Sequence, residues 1–172
     1  MYATGNAPVK PHGLLKWAFT LPRYLYRWHL GWLLGHQCLM ITHLGRKSGR
    51  RRQTVLEIVH YDPKTLESVV VAGYGVQSDW YRNIQAHPAL LVQVGGRRYV
   101  PRQRILSSEE TLALFEEYQQ QHPSRFRRLL RLAGHQYDGT PERLRMLATL
   151  IPAIAFSPQE LIAGNETDTE WS

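Results

Sequence analysis

The chain has one cysteine, Cys38, in 172 residues. That excludes an intrachain disulfide and a cysteine-based zinc cluster. Cys38 lies in an apolar run, which suits a buried, unreactive thiol in a reducing compartment. Acidic charge is also scarce. Fourteen Asp and Glu stand against 21 Lys and Arg, for a net charge of +7. The excess points to an anionic partner: nucleic acid, an anionic membrane surface or an acidic small molecule. Long uncharged apolar runs are missing. Residues 12–35 are the most hydrophobic stretch, but Lys16, Arg23, Arg27 and His29 interrupt it, which argues against a spanning helix. No secretory leader pattern opens the chain. The expected location is the cytoplasm, with the inner face of the membrane as the variant to consider.

Chemistry-bearing patterns are sparse too. His43 and His60 fall on expected strands, and His87, His122 and His135 border turns. No two of them have metal-ligand spacing on a helix, and no carboxylate cluster accompanies them, so no metal site is expected. Ser48 lacks evident His and acid partners for a hydrolytic triad. Asp62, Glu67 and Asp79 are scattered. The run of arginines at positions 50–52 comes without a nucleic-acid reading motif or an aromatic stacking platform, so nucleic acid is not the expected partner. An enzyme built from this set would take its chemistry from a cofactor, with the protein supplying binding and orientation.

What is present is organised around residues 38–56, C-L-M-I-T-H-L-G-R-K-S-G-R-R-R-Q-T-V-L. Two apolar runs with β-branched residues flank a basic hinge, Gly45-Arg46-Lys47-Ser48-Gly49-Arg50-Arg51-Arg52. Glycine at both ends permits a tight turn. Consecutive N–H groups at such a turn can form an anion-binding concavity, reinforced here by five cationic side chains and the Ser48 hydroxyl. The loop is not a P-loop, because the glycine–lysine spacing differs and no helix pattern follows. A phosphate or carboxylate site is one reading, and a solvated basic hairpin the other.

The rest of the chain reads as strands in close succession. Residues 66–73 form a third strand whose three valines predict burial on both faces. Gly73-Tyr74-Gly75 ends it. A short helix follows with Ser78 as N-cap; Trp80, Ile84 and Asn83 are expected on one side, Tyr81 and Gln85 on the other. Residues 90–94 and 97–106 make a hairpin across Gly95-Gly96, and Pro101 marks the second strand as edge or bulged. Helices are expected from Ser108, from Ser124 to Ala133, and from Pro141 with Thr140 as cap. Residues 152–156 form a final strand. Short connections favour an antiparallel barrel or sheet with helical decoration, since parallel crossovers need longer ones. The chain divides into an N-terminal arm and aromatic helical segment (1–35), one domain (36–160) and a polar tail (161–172). The Trp- and Arg-rich segment 12–35 has three candidate places: on the core, at a homodimer interface, or against a membrane surface.

Three segments together, I-T-H-L-G-R-K-S-G-R-R-R-Q-T, V-V-V-A-G-Y-G and D-W-Y-R-N-I-Q-A-H-P-A-L-L-V-Q-V-G-G, resemble the deazaflavin-dependent nitroreductase family. The resemblance covers roughly residues 38–106, with a looser echo to Phe156. It implies an α+β chain built on a split β-barrel of the FMN-binding type. It also implies coenzyme F420, an 8-hydroxy-5-deazaflavin with a phosphate and an acidic tail, as the ligand, and a small-molecule electron acceptor as the substrate. FMN or haem are the ligands of wider relatives. By the same resemblance, Arg46, Lys47, Ser48 and Gly49 match the loop that grips phosphate and tail. Arg52, Gln53, Thr54, Val55, Leu56 and Glu57 match the strand that lines the deazaflavin. Gly73, Tyr74 and Gly75 match the turn beside it, and Asp79, Trp80, Tyr81 and Asn83 the helix start that borders the ring. Members often carry Lys at the position of Tyr74, Pro-Leu at Val55-Leu56, and an aromatic at Glu57. Phe126 and Tyr137 are the candidates for closing a substrate pocket. The implied activity is hydride transfer to a quinone, nitro group or activated double bond; a non-catalytic carrier of flavin, tetrapyrrole or lipid is the rival.

Overall fold

The computed structural model describes residues 36–162, and the expectations for residues 1–35 lie outside that range. Six strands close into an antiparallel barrel in the order β1-β2-β3-β6-β5-β4. They are β1 (Cys38–Leu44), β2 (Arg51–Tyr61), β3 (Ser68–Val71), β4 (Leu91–Val94), β5 (Arg97–Ile105) and β6 (Ala153–Leu161). Helix α1 (Asp79–Ala86) sits between β3 and β4, while α2 (Ser108–Gln121), α3 (Pro123–Leu132) and α4 (Pro141–Leu150) fill the gap between β5 and β6. The expected FMN-binding-type split barrel with C-terminal helices is the fold observed.

Period-2 alternation sorts the strand residues into two cores. Leu39, Ile41, Ile58, Val70, Val92, Val94, Tyr99, Ile154 and Phe156 fill the barrel, joined by Tyr81 and Ile84 of α1. Val59, Val69, Val71, Ala153 and Ala155 point outward and meet Leu114, Phe115, Tyr118, Phe126, Leu130 and Leu147 of the helices. All four residues of β3 are buried, as the valine run implied. Tyr99 spans the barrel interior, where burial pushes its phenol up to about 12.

Two local readings need correction. Tyr81 does not face away from Ile84; both are buried, and Trp80 lies at the edge of that arc, edge-on to Tyr81 with ring centroids 6.1 Å apart. Residues three apart share a helix face, so Tyr81 and Ile84 enter the barrel mouth together. The last strand also runs beyond Phe156 to Leu161, paired with β5 along its length. Pro101 is a bulge and not an edge: it stands opposite Pro158, where the β5–β6 register shifts. Neither proline has an N–H to donate, so the ladder is interrupted there without leaving an orphan donor.

Candidate functional site

The β1–β2 connection begins at Gly45 and turns back on itself. The Gly45 carbonyl accepts from Ser48 N–H (3.1 Å) and Gly49 N–H (2.8 Å), and Gly45 N–H donates to Arg50 O (2.9 Å). Gly49 takes φ +63°, the left-handed region. Gly45 is close-packed for a different reason: a Cβ there would stand 2.7 Å from Ser48 Oγ and 2.9 Å from Arg52 Nε, so both side chains would have to move aside. Arg50 N–H donates to Ser48 Oγ at 3.4 Å, and Arg46 N–H to Asn83 Oδ1 at 3.0 Å. The expected concavity of outward N–H groups is therefore not formed. The amides of Gly45, Ser48, Gly49 and Arg50 bond within the turn, and that of Arg46 bonds to Asn83 on α1. Positive charge reaches solvent through side chains, with Lys47, Arg50, Arg51 and Arg52 exposed.

Arg46 behaves differently from its neighbours. Its Nη1 donates to Asn83 Oδ1 (3.0 Å) and its Nη2 pairs with Asp79 Oδ1 (3.1 Å), at 22% side-chain exposure. Helix α1 is thus tied to the loop, and residues 33–37 apart in sequence meet. Behind Asn83 lies His43, 1% exposed. Asn83 Nδ2 is 3.4 Å from His43 Nδ1, and His43 Nε2 is 3.1 Å from Thr54 Oγ1. Burial lowers the pKa of His43; the Leu44 carbonyl opposes this and the Arg52 charge adds to it.

The Gly73–Gly75 turn reaches the same helix start from the other side. A 3-10 turn over Gly75–Gln77 leads directly into Ser78 and α1. His135 Nε2 lies 2.8 Å from Gly73 O, and Tyr74 Oη donates to Leu132 O at 3.5 Å, so the turn is fastened to the end of α3. Gly75 sits at φ +64° with a Cβ position 3.0 Å from Leu150 O. Ser78 occupies the N-cap position but makes no capping bond. Its buried Oγ has no hydrogen-bond partner among the described residues.

Strand alternation splits the β2 segment. Arg52, Thr54 and Leu56 lie on the barrel side: Leu56 packs on the inner core, Thr54 meets His43, and Arg52 flanks Gly45. Gln53, Val55 and Glu57 lie on the opposite face. Glu57 accepts from Tyr118 Oη at 3.1 Å and has Arg128 Nη2 at 3.9 Å. The Tyr118 pKa is raised by burial, with the Glu57 charge and hydrogen bond adding to the rise. Phe126 is fully buried among Phe115, Tyr118 and Tyr137, so it is a core residue of the helical layer and not a wall of an open pocket. Sequence reasoning passed over His43, Tyr118 and Arg128. For His43 the signal was present, since it alternates with Leu39 and Ile41 on the inner face. For Tyr118 and Arg128 the partner is 61 or more residues away, and no local pattern reveals it.

The architecture defines an FMN-binding-type split barrel whose two basic and aromatic motifs converge on one helix start. The family model for F420H(2)-dependent quinone reductase matches residues 29–131, and the chain belongs to that family. It is an oxidoreductase, a deazaflavin-dependent reductase. Among solved structures it is similar to an F420-H2 dependent reductase (22% identity over 72% of this chain and 96% of that one, TM-score 0.46). It is also similar to a protein of unknown function from Agrobacterium tumefaciens (13%, 96% and 64%, TM-score 0.50) and to a pyridoxamine 5'-phosphate oxidase-related FMN-binding protein from Nostoc punctiforme (14%, 83% and 80%, TM-score 0.48). No curated protein sequence matches the chain.

Proposed function

We propose that the chain catalyses hydride transfer from reduced coenzyme F420 to a small electron acceptor, with quinones, nitro compounds and activated double bonds as the acceptor classes. The observation that carries this reading is the junction made by Arg46. It joins the G-R-K-S-G loop to the D-W-Y-R-N helix and holds Lys47 and Arg50 in solvent beside it. Lys47, Ser48, Arg50 and Arg52 would hold the phosphate and acidic tail of the cofactor. Thr54 to Leu56 on β2, the Gly73–Gly75 turn and Ser78 to Asn83 would border its ring. When bound in its reduced form, the deazaflavin supplies the hydride. The protein's part is to hold the ring over the acceptor and keep water out. A quinone that accepts the hydride and one proton becomes the hydroquinone.

Titration of the purified protein with oxidised deazaflavin coenzyme, beside FMN and haem, tests the cofactor. Selective deazaflavin binding followed by turnover of a quinone supports the reading. Preference for FMN or haem, or tight deazaflavin binding with no turnover of any acceptor class, replaces it with a carrier role. Residues 12–35 would add a loose membrane contact that brings in lipophilic quinone. Equal liposome co-sedimentation with and without residues 1–35 removes that part. Among the described residues no helix is long and apolar enough to cross a membrane. A homodimer is the other proposed use of segment 12–35, read by sedimentation of the two forms.

A further inference from the structure

We infer that His43 is the positioning residue of the basic loop: its neutral imidazole, protonated at Nε2, fixes the Asn83 amide, and Asn83 holds Arg46.

The argument starts from a donor of unambiguous identity. The backbone N–H of Arg46 points at the Asn83 side chain 3.0 Å away, and Arg46 Nη1 reaches the same atom at 3.0 Å. Both are donors only, so that atom is the amide oxygen. The Asn83 amide nitrogen, itself a donor, then faces His43 Nδ1 at 3.4 Å. Nδ1 must accept and therefore carries no proton. A neutral imidazole with a bare Nδ1 is protonated at Nε2, which donates to Thr54 Oγ1 at 3.1 Å. One hydrogen-bond chain runs from β2 through the barrel end to the loop; His43 and Asn83 are buried, Thr54 and Arg46 half-buried.

A second proton on His43 is incompatible with this chain. Nδ1–H would face the Asn83 NH2 group, and its nearest alternative acceptor is Leu44 O at 3.5 Å. Asn83 must then rotate its amide or withdraw, and either movement removes the acceptor from Arg46 N–H. Of the groups around the imidazole, the Leu44 carbonyl favours the cation, while burial and the Arg52 charge favour the neutral form, burial most strongly. From β2 come Thr54 and the Arg52 guanidinium, opposite His43 in the ladder. From α1 comes the uncharged Asn83. Asp79 lies beyond Arg46 and is engaged by it.

The loop is thus competent when His43 is neutral and loosened when it is protonated. The consequence for cofactor binding rests on the reading proposed above, whereas the tautomer and the loop's attachment do not. Two-bond 1H–15N spectra of the full chain, without ligand, read the tautomer at neutral pH; the expected pattern is a protonated Nε2 and a bare Nδ1. Exchange of the Arg46 amide, corrected for intrinsic rate, should lose about three- to tenfold protection as His43 titrates, the worth of one such hydrogen bond. Calorimetric affinity for oxidised deazaflavin coenzyme should fall by a similar factor over the same pH range. His43→Asn keeps an uncharged acceptor near Nδ1 and should bind with no such pH step. His43→Leu should bind weakly throughout. A proton on Nδ1 at neutral pH, or a Leu variant that matches wild type in Arg46 exchange, overturns the inference. Failure of the wild type to bind the coenzyme at any pH overturns the functional reading instead, and leaves the spectra and the exchange to decide the role of His43.

Discussion

Arg46 and Lys47 are adjacent and chemically alike, yet they do different work. Arg46 is bonded to Asn83 and Asp79, while Lys47 is exposed. The double variant Lys47→Ala/Arg50→Ala should weaken coenzyme binding by about 1.5–3 kcal/mol per lost charge-assisted contact. Its melting temperature should not move, which a thermal scan beside the titration checks. Arg46→Ala should lower both affinity and melting temperature, because it detaches the loop from α1. Gly45→Ala is a finer probe. The added Cβ meets Ser48 Oγ and Arg52 Nε, both side-chain atoms that can swing away. The fold should survive and affinity should drop, since those two donors are the ones displaced. Unchanged affinity would remove Ser48 and Arg52 from the site.

Among the elements, α3 carries Phe126 into the outer core, where it meets Phe115, Tyr118 and Tyr137 edge-on. Phe126→Ala should cost about 3–5 kcal/mol, as fully buried aromatic truncations do. Urea unfolding measures it, and a loss below about 1 kcal/mol would mean that the helical layer is loosely attached. Helix α2 opens with a capping box: Glu110 N–H donates to Ser107 Oγ, and Ser107 N–H to the Glu110 carboxylate. The Ser107 N–H, then Arg104, hold the Glu110 pKa below the usual carboxylate value. A depressed folded-state pKa means that this support is complete above the unfolded pKa and fades as pH falls through the folded one. Acid unfolding of Glu110→Gln should therefore converge with wild type at low pH, while the two differ at neutral pH.

At the scale of the molecule, a net charge of +7 would favour the proposed coenzyme, whose phosphate and tail are anionic. The exposed cations of the loop are screened by salt, with a Debye length near 10 Å at 0.1 M. Coenzyme affinity should fall steadily as ionic strength rises, and a titration series in salt reads it. Affinity indifferent to salt would mean that the acidic tail is not held by the loop.

Much of this protein was legible before any tertiary contact was known. The β-branched apolar run at Cys38–Leu44, the unbroken valines of β3 and the Gly95-Gly96 hairpin marked strands and a turn, because β-propensity and positive φ are local properties. The two glycine-bounded motifs located the candidate site, because close turns and clustered charge also show in one dimension. Only the tertiary structure decided what the loop's amides do. Whether Ser48 and Gly49 point outward depends on how tightly the turn must close between paired strands. Nor does the sequence say that Arg46 meets Asn83, that Glu57 meets Tyr118, or that Phe126 is interior. The first two join residues 37 and 61 positions apart, and Phe126 meets Phe115 and Tyr118 on the neighbouring helix; folding of the barrel and packing of the helices on it bring them together.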